Sequence, residues 1–234
     1  MTTVALIGMG KMGRTLAALA PERGFVVVAQ LDAGMPDYPG VTKASLNGAQ
    51  VAIEFTTPDA AAANVRACVV AGCPVVVGTT GWYDEMAAVS ADVERAGAAM
   101  LTAPNFSIGV AVFDRVVAEA GRLFSELRTF DAHLVETHHN AKKDAPSGTA
   151  GALARTASQS LGRAIGITSV RVGSVPGTHE LIFDAPFEQV RLVHEARDRR
   201  VFAEGALLAA RWLVGKRGVF TLQDVLTSSA VAHA

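Results

Sequence analysis

The chain has 234 residues, half of them hydrophobic, with 21 basic and 22 acidic side chains and a formal charge of −1. That length and apolar content support one large domain or two small ones with a sizeable core, and they exclude a disordered chain. The balanced charge gives no global attraction to nucleic acid or to an anionic membrane.

Val4–Ile7 is a short apolar run ending at a glycine, which predicts a buried strand. Lys11–Ala20 has helical composition and is stopped by Pro21 and Gly24. Phe25–Leu31 and Val51–Phe55 predict a second and a third strand. Thr57-Pro58-Asp59 opens an alanine-rich helix that runs to Ala71 and ends at Gly72. Pro74–Val77 is a fourth strand, Trp82–Ala96 a helix, and Ala98–Leu101 a fifth strand. Strands that alternate with helices and lack polar alternation predict an α/β fold: a Rossmann-type, doubly wound parallel sheet over residues 1–105.

The pattern changes after Asn105. Ile108–Phe124 is a long helix, Thr129–Val135 a strand with one wetter face, and Ser147–Ser160 a helix. Thr168–Val175, His179–Asp184 and Glu188–His194 are closely spaced and predict an antiparallel meander. Residues 106–200 are therefore expected to form a smaller α+β domain with a mixed or antiparallel sheet. The helix Val201–Val214 is expected to bring residues 201–234 back to the first domain. The most apolar stretch, Ala60–Val77, is broken by Asn64, Arg66, Gly72 and Pro74, so no transmembrane helix is expected. The run from Met1 into Val4–Ile7 lacks signal-peptide features, and Cys68 and Cys73 are too few for a disulfide framework; a cytoplasmic location is expected.

Two segments carry chemistry. Gly8-Met9-Gly10-Lys11-Met12-Gly13 follows a predicted strand and opens a predicted helix. Glycines at this spacing permit a tight turn, backbone approach to a pyrophosphate and close helix packing, and the helix start offers N–H donors to phosphate. Asp32 ends the second strand, 19 residues after Gly13, where a carboxylate accepts from ribose hydroxyls. A carboxylate repels a 2′-phosphate and Ala33-Gly34 follow it, so the cofactor expectation is NADH and/or NADPH with a lean to NADH. Lys11 and Arg14 could instead neutralise that phosphate, or simply form a solvated helix face. Gly78-Thr79-Thr80-Gly81 and Ala103-Pro104-Asn105-Phe106 follow the fourth and fifth strands, where an open α/β sheet binds ligands. Taken alone, each is an ordinary turn.

The second segment is Glu136-Thr137-His138-His139-Asn140-Ala141-Lys142-Lys143-Asp144-Ala145-Pro146-Ser147-Gly148-Thr149-Ala150. It holds two proton-transfer side chains and two ammonium groups. If the backbone is extended, His138 and His139 face opposite ways and do not share a metal; no metal site is expected. Lys142 can hold a carboxylate or deliver a proton. Lys143 is expected to face solvent, and Asp144 can pair with a lysine or orient a histidine. Ser147 is a candidate N-cap, which leaves the amides of Gly148 and Thr149 to bind an anion or merely to start a capped helix.

This second segment closely resembles the signature of the 4-hydroxy-tetrahydrodipicolinate (dihydrodipicolinate) reductase family. Gly8–Gly13, Phe55-Thr56-Thr57-Pro58, Gly78–Gly81 and Ala103–Gly109 support the resemblance, which runs from Val4 to about Leu226. It implies an NAD(P)H-dependent reductase of lysine and diaminopimelate biosynthesis, built as a homotetramer. It implies that His138 is the proton donor/acceptor, that Lys142 is a proton donor, and that His139, Gly148 and Thr149 bind substrate. It places the cofactor on Gly8, Met9, Gly10, Lys11, Met12, Gly13, Asp32, Gly78, Thr79, Thr80, Ala103, Pro104, Asn105 and Phe106. The chain departs from the family in two places: only Leu161–Gly166 stands where a longer arginine- and glycine-rich loop is usual, and Ala33 stands where an arginine often follows the acid.

The expected reaction is hydride transfer to C4 of a cyclic dicarboxylate, with a proton from the His138/Lys142 region, no nucleic acid and no membrane being involved. The competing readings are an amino- or imino-acid dehydrogenase of the same architecture and a non-catalytic NAD-sensing protein.

Overall fold

The computed structural model describes residues 1–228; the end of the expected 201–234 segment lies outside the described residues. The described chain divides into two compact units, Met1–Phe106 with residues 202–228, and Ser107–Val201.

The first unit opens with β1 (Thr2–Ile7), α1 (Lys11–Leu19), β2 (Phe25–Leu31), β3 (Val51–Glu54), α2 (Pro58–Ala71), β4 (Val75–Val77), α3 (Met86–Arg95) and β5 (Ala99–Thr102). Its sheet also takes in a late strand, β10 (Gly218–Phe220), and runs β10-β5-β4-β3-β1-β2 with every pair parallel. Val4–Ile7, Val51–Ile53 and Val75–Val77 are buried because helices cover both faces of the central strands. The chain leaves β1 towards β2 on one side and returns to β3 on the other. The carboxyl ends of β1 and β3 therefore flank a topological switch point, where open α/β sheets bind ligands. Between β2 and β3 lies irregular chain whose Tyr38, Val41 and Leu46 pack onto the core.

The second unit contains α4 (Ile108–Phe124), β6 (Asp131–His138), α5 (Gly148–Leu161), β7 (Gly166–Arg171), β8 (Gly177–Ala185) and β9 (Glu188–Ala196). Its sheet runs β7-β6-β8-β9. Of the antiparallel meander expected from Thr168–Val175, His179–Asp184 and Glu188–His194, the last two strands pair as expected and the first does not. β7 pairs parallel with β6, because α5 carries the chain back to the starting end of the sheet before β7 begins. Only β6–β8 and β8–β9 are antiparallel. α4 and α5 cover one face through Phe113, Val117, Leu153 and Leu161, packed on Leu134, Leu181 and Phe183.

Three further elements follow: α6 (Arg200–Leu213), β10 (Gly218–Phe220) and α7 (Leu222–Thr227). Sequence pattern did not indicate β10, since three half-buried residues are too few to show a period. No helix among the described residues is long and apolar enough to cross a membrane.

Candidate active site

In the first unit the glycine loop lies between β1 and α1. Gly8 has φ +92°, and a Cβ there would fall 2.0 Å from the Phe55 carbonyl oxygen, so packing and backbone both demand glycine. Gly10 differs: a Cβ there would meet nothing within 4 Å. Its small size is not demanded by the protein's own packing. Gly10 caps α1, whose first turn carries no acidic residue to compete with a phosphate.

Asp32 follows β2 and is held by two backbone donors, Met9 N–H to Oδ2 at 2.6 Å and Gly34 N–H to Oδ1 at 2.8 Å. The Gly34 and Met9 amides keep its carboxyl below the usual range despite some desolvation. The Met9 amide thus serves Asp32 directly. Lys11 is exposed, Met12 half-buried and Gly13 buried. The loops after β4 and β5 flank the same carboxyl edge. The Phe55 ring occupies the space a Gly78 side chain would need, and Phe106 meets that ring edge-on at 6.0 Å. The buried Thr79 hydroxyl accepts from Thr56 N–H at 2.7 Å, whereas Thr80 and Pro104 are exposed. Ala103 is buried and Asn105 half-buried. A helix start with donors, a glycine with clear space and an anchored carboxylate fit a dinucleotide.

In the second unit the covered sheet face is apolar at one end and ionisable at the other. Along β6 the inward residues run Ala132, Leu134, Glu136, His138. Register places Ser169 of β7 and His179 of β8 beside Glu136, and His194 of β9 beside His179. Arg171 of β7 lies beside His138. The polar end sits where β6 runs into the loop towards α5.

Glu136 is fully buried, and several donors converge on its carboxylate. Oε1 accepts from Arg171 Nη2 at 2.7 Å and from the Ser147 amide at 3.3 Å; Oε2 bonds His138 Nδ1 at very short range. Burial opposes its ionisation, but Arg171, Ser169 and His138 outweigh burial and bring its pKa down to about 2. The buried His138 is held below the usual histidine range by desolvation, with Glu136 opposing and the charges of Lys142 and Arg171 adding to the effect. His179 is driven to about 4, first by burial and then by the neighbouring histidines. The His138 and His179 rings meet edge-on at 5.4 Å, and His179 lies 6.2 Å from His194. Nδ1 of both His179 and His194 is buried without a hydrogen-bond partner.

The loop carries the remaining candidates. Lys142 Nζ donates to both oxygens of Asp144, at 2.8 and 2.9 Å, and Lys143 is exposed. His139 is half-buried, and its carbonyl accepts from the Lys142 amide at 3.0 Å. Ser147 caps α5, its hydroxyl accepting from Ala150 N–H at 3.1 Å. Gly148, exposed, and Thr149, half-buried, begin the helix. Within this unit the structure thus gathers His138, Lys142 and the start of α5 at one end of the sheet. No cluster of metal-ligating side chains occurs among the described residues.

Sequence reasoning assigned no role to Glu136, Arg171, His179 or His194. The Glu136-x-His138 spacing on a strand does place both side chains on one face, and that signal was available. Arg171, His179 and His194 come from β7, β8 and β9, and only strand register brings them in.

Two family models match: the dihydrodipicolinate reductase N-terminus over residues 2–106 and the dihydrodipicolinate reductase C-terminus over residues 109–226. The 4-hydroxy-tetrahydrodipicolinate reductase of Christiangramia forsetii is 33% identical over 238 residues, covering 96% of this chain and 97% of the relative. The same-named protein of Thiobacillus denitrificans is 36% identical, covering 95% and 97%. A solved dipicolinate-bound dihydrodipicolinate reductase from Paenisporosarcina sp. TG-14 shares the fold with a TM-score of 0.80 at 23% identity, covering 94% of this chain and 97% of that one. With both halves matched and relatives above 30% identity over nearly the whole length, the chain belongs to the dihydrodipicolinate reductase family of oxidoreductases.

Proposed function

We propose that this chain reduces 4-hydroxy-tetrahydrodipicolinate to tetrahydrodipicolinate on the diaminopimelate route to lysine. The ring gains a hydride at C4 and consumes one proton as the 4-hydroxyl leaves as water. A reduced nicotinamide dinucleotide, when bound, supplies the hydride.

The observation that carries this reading is the polar end of the second unit's sheet. There a histidine with its Nδ1 tied to a carboxylate lies within electrostatic reach of Lys142 and beside a helix start. His138 exchanges the proton through Nε2. Lys142 and the first turn of α5, with Gly148 and Thr149, hold the carboxylates of the ring, and His139 borders them. Fixed donors of this kind orient a dianion without reorganising. The general acid contributes on the order of 10²–10⁴-fold.

The first unit binds the cofactor through Gly8–Gly13, Asp32, Gly78–Thr80 and Ala103–Phe106. The anchored Asp32 carboxylate favours the ribose 2′-hydroxyl, so NADH is the preferred donor. The working enzyme is a homotetramer assembled through the uncovered face of the four-stranded sheet, where Val170 and Val193 are exposed. Free Cys68 and Cys73 suit the cytoplasm.

A coupled assay with freshly made substrate, following NADH and NADPH oxidation in parallel, tests this. Oxidation of NADH that depends on the cyclic dicarboxylate is expected. Oxidation with acyclic amino or imino acids instead, or binding without turnover, would refute it.

A further inference from the structure

We propose that Glu136 is a positioning residue: one buried carboxylate sets both the ring of His138 and the start of α5, with Arg171 as its counter-ion. The inference rests on the functional reading above for what those two elements do.

The argument is one of valence. Glu136 lies two residues before His138 on the same strand face, so its Oε2 reaches back to Nδ1 of that ring. A carboxylate can only accept, so the hydrogen must sit on Nδ1. Nε2 is then the nitrogen that exchanges a proton. The other oxygen, Oε1, takes the Ser147 amide at 3.3 Å. That amide immediately precedes Gly148, the first residue of α5. Arg171 Nη2 joins the same oxygen at 2.7 Å and also donates to the Asp144 carbonyl at 2.6 Å. The end of β6, the end of β7 and the Lys142-bearing loop therefore converge on one charge.

No neutral isostere can do this. A glutamine amide offers a single acceptor oxygen to these donors, and its NH₂ would face the guanidinium or the ring N–H. The groups facing His138 are Glu136 on its own strand, Arg171 on β7, His179 on β8 and Lys142 in the loop. Glu136 is the one anion among them.

The test is Glu136→Gln in the full-length protein. Four readouts are taken: folding by circular dichroism, the His138 midpoint by NMR titration of the cofactor-free protein, the pH profile of turnover, and dipicolinate affinity by calorimetry. The His138 midpoint is expected to fall by at least about one pH unit. The alkaline limb of turnover should move down with it, and dipicolinate should bind at least about fivefold more weakly. A carboxylate with a merely structural role would lower the melting temperature and leave the His138 midpoint in place, which overturns the proposal. Unchanged dipicolinate affinity in a folded variant also overturns it. If Glu136→Gln does not fold, Glu136→Asp replaces it. That variant keeps the charge but shortens the reach, so wild-type dipicolinate affinity and pH profile in it would overturn the proposal too. Failure of the wild-type protein to turn over the cyclic dicarboxylate would sink the functional reading instead, and the titration would still be readable.

Discussion

Gly177 lies so close to His138 that a Cβ on it would sit 3.0 Å from the ring nitrogen Nε2. The Nε2 edge of His138 therefore faces backbone, and side-chain bulk at position 177 acts on the ring directly. Gly177→Ala is expected to displace the ring by a few tenths of an ångström. Turnover should fall roughly 10- to 100-fold with cofactor affinity unchanged, measured by steady-state kinetics and NADH titration.

Gly8 and Gly10 differ in what an added side chain would meet. Gly8→Ala forces a Cβ onto the Phe55 carbonyl at a left-handed φ, so it should cost at least about 2 kcal/mol of stability. Gly10→Ala places its Cβ in open space. Its melting temperature should match the wild type while its NADH dissociation constant rises about tenfold or more, on the order of 1.4 kcal/mol. Equal NADH affinity in Gly10→Ala would remove the dinucleotide from that loop.

Lys142 is held by Asp144 in the free protein. Lys142→Ala should cut kcat by roughly 10²–10⁴-fold and leave NADH binding nearly intact. Asp144→Asn should do the reverse to the anion site. Releasing a partly exposed ion pair, worth about 0.5–1 kcal/mol, should tighten dipicolinate binding about two- to fivefold. Calorimetry at low salt reads both effects, and weaker dipicolinate binding in Asp144→Asn would contradict the pairing as described.

Acid should loosen the second unit before it protonates the carboxylates. His179 has a folded pKa of about 4 against an ordinary 6.5, so the unfolded chain binds the extra proton between those values. Its contribution is complete above pH 6.5 and is lost as pH falls to 4, roughly 3 kcal/mol across the window. His138 and His194 are shifted the same way and steepen the loss. Glu136, depressed to about 2, is lost only at lower pH, between about 4.5 and 2. Urea unfolding at pH 7.5 and at pH 5 should show the loss in the wild type and a smaller one in His179→Gln. An identical pH dependence in the two proteins would refute it.

The linear sequence determined the alternating α/β half. Its strands are buried on both faces and so appear as continuous apolar runs, as in Val4–Ile7 and Val75–Val77, and its helices are bounded by local stops such as Pro58 and Gly72. It also determined the chemistry-bearing segment from Glu136 to Thr149, because cap, cation and imidazole are neighbours there. Tertiary structure alone decided the direction of β7. Its short alternating pattern is the same for a parallel or an antiparallel strand, and the path of α5 makes the choice. Strand register alone brought Arg171, His179 and His194 alongside Glu136 and His138. Which residues of distant strands become cross-strand neighbours depends on inter-strand hydrogen bonding, which no local periodicity encodes.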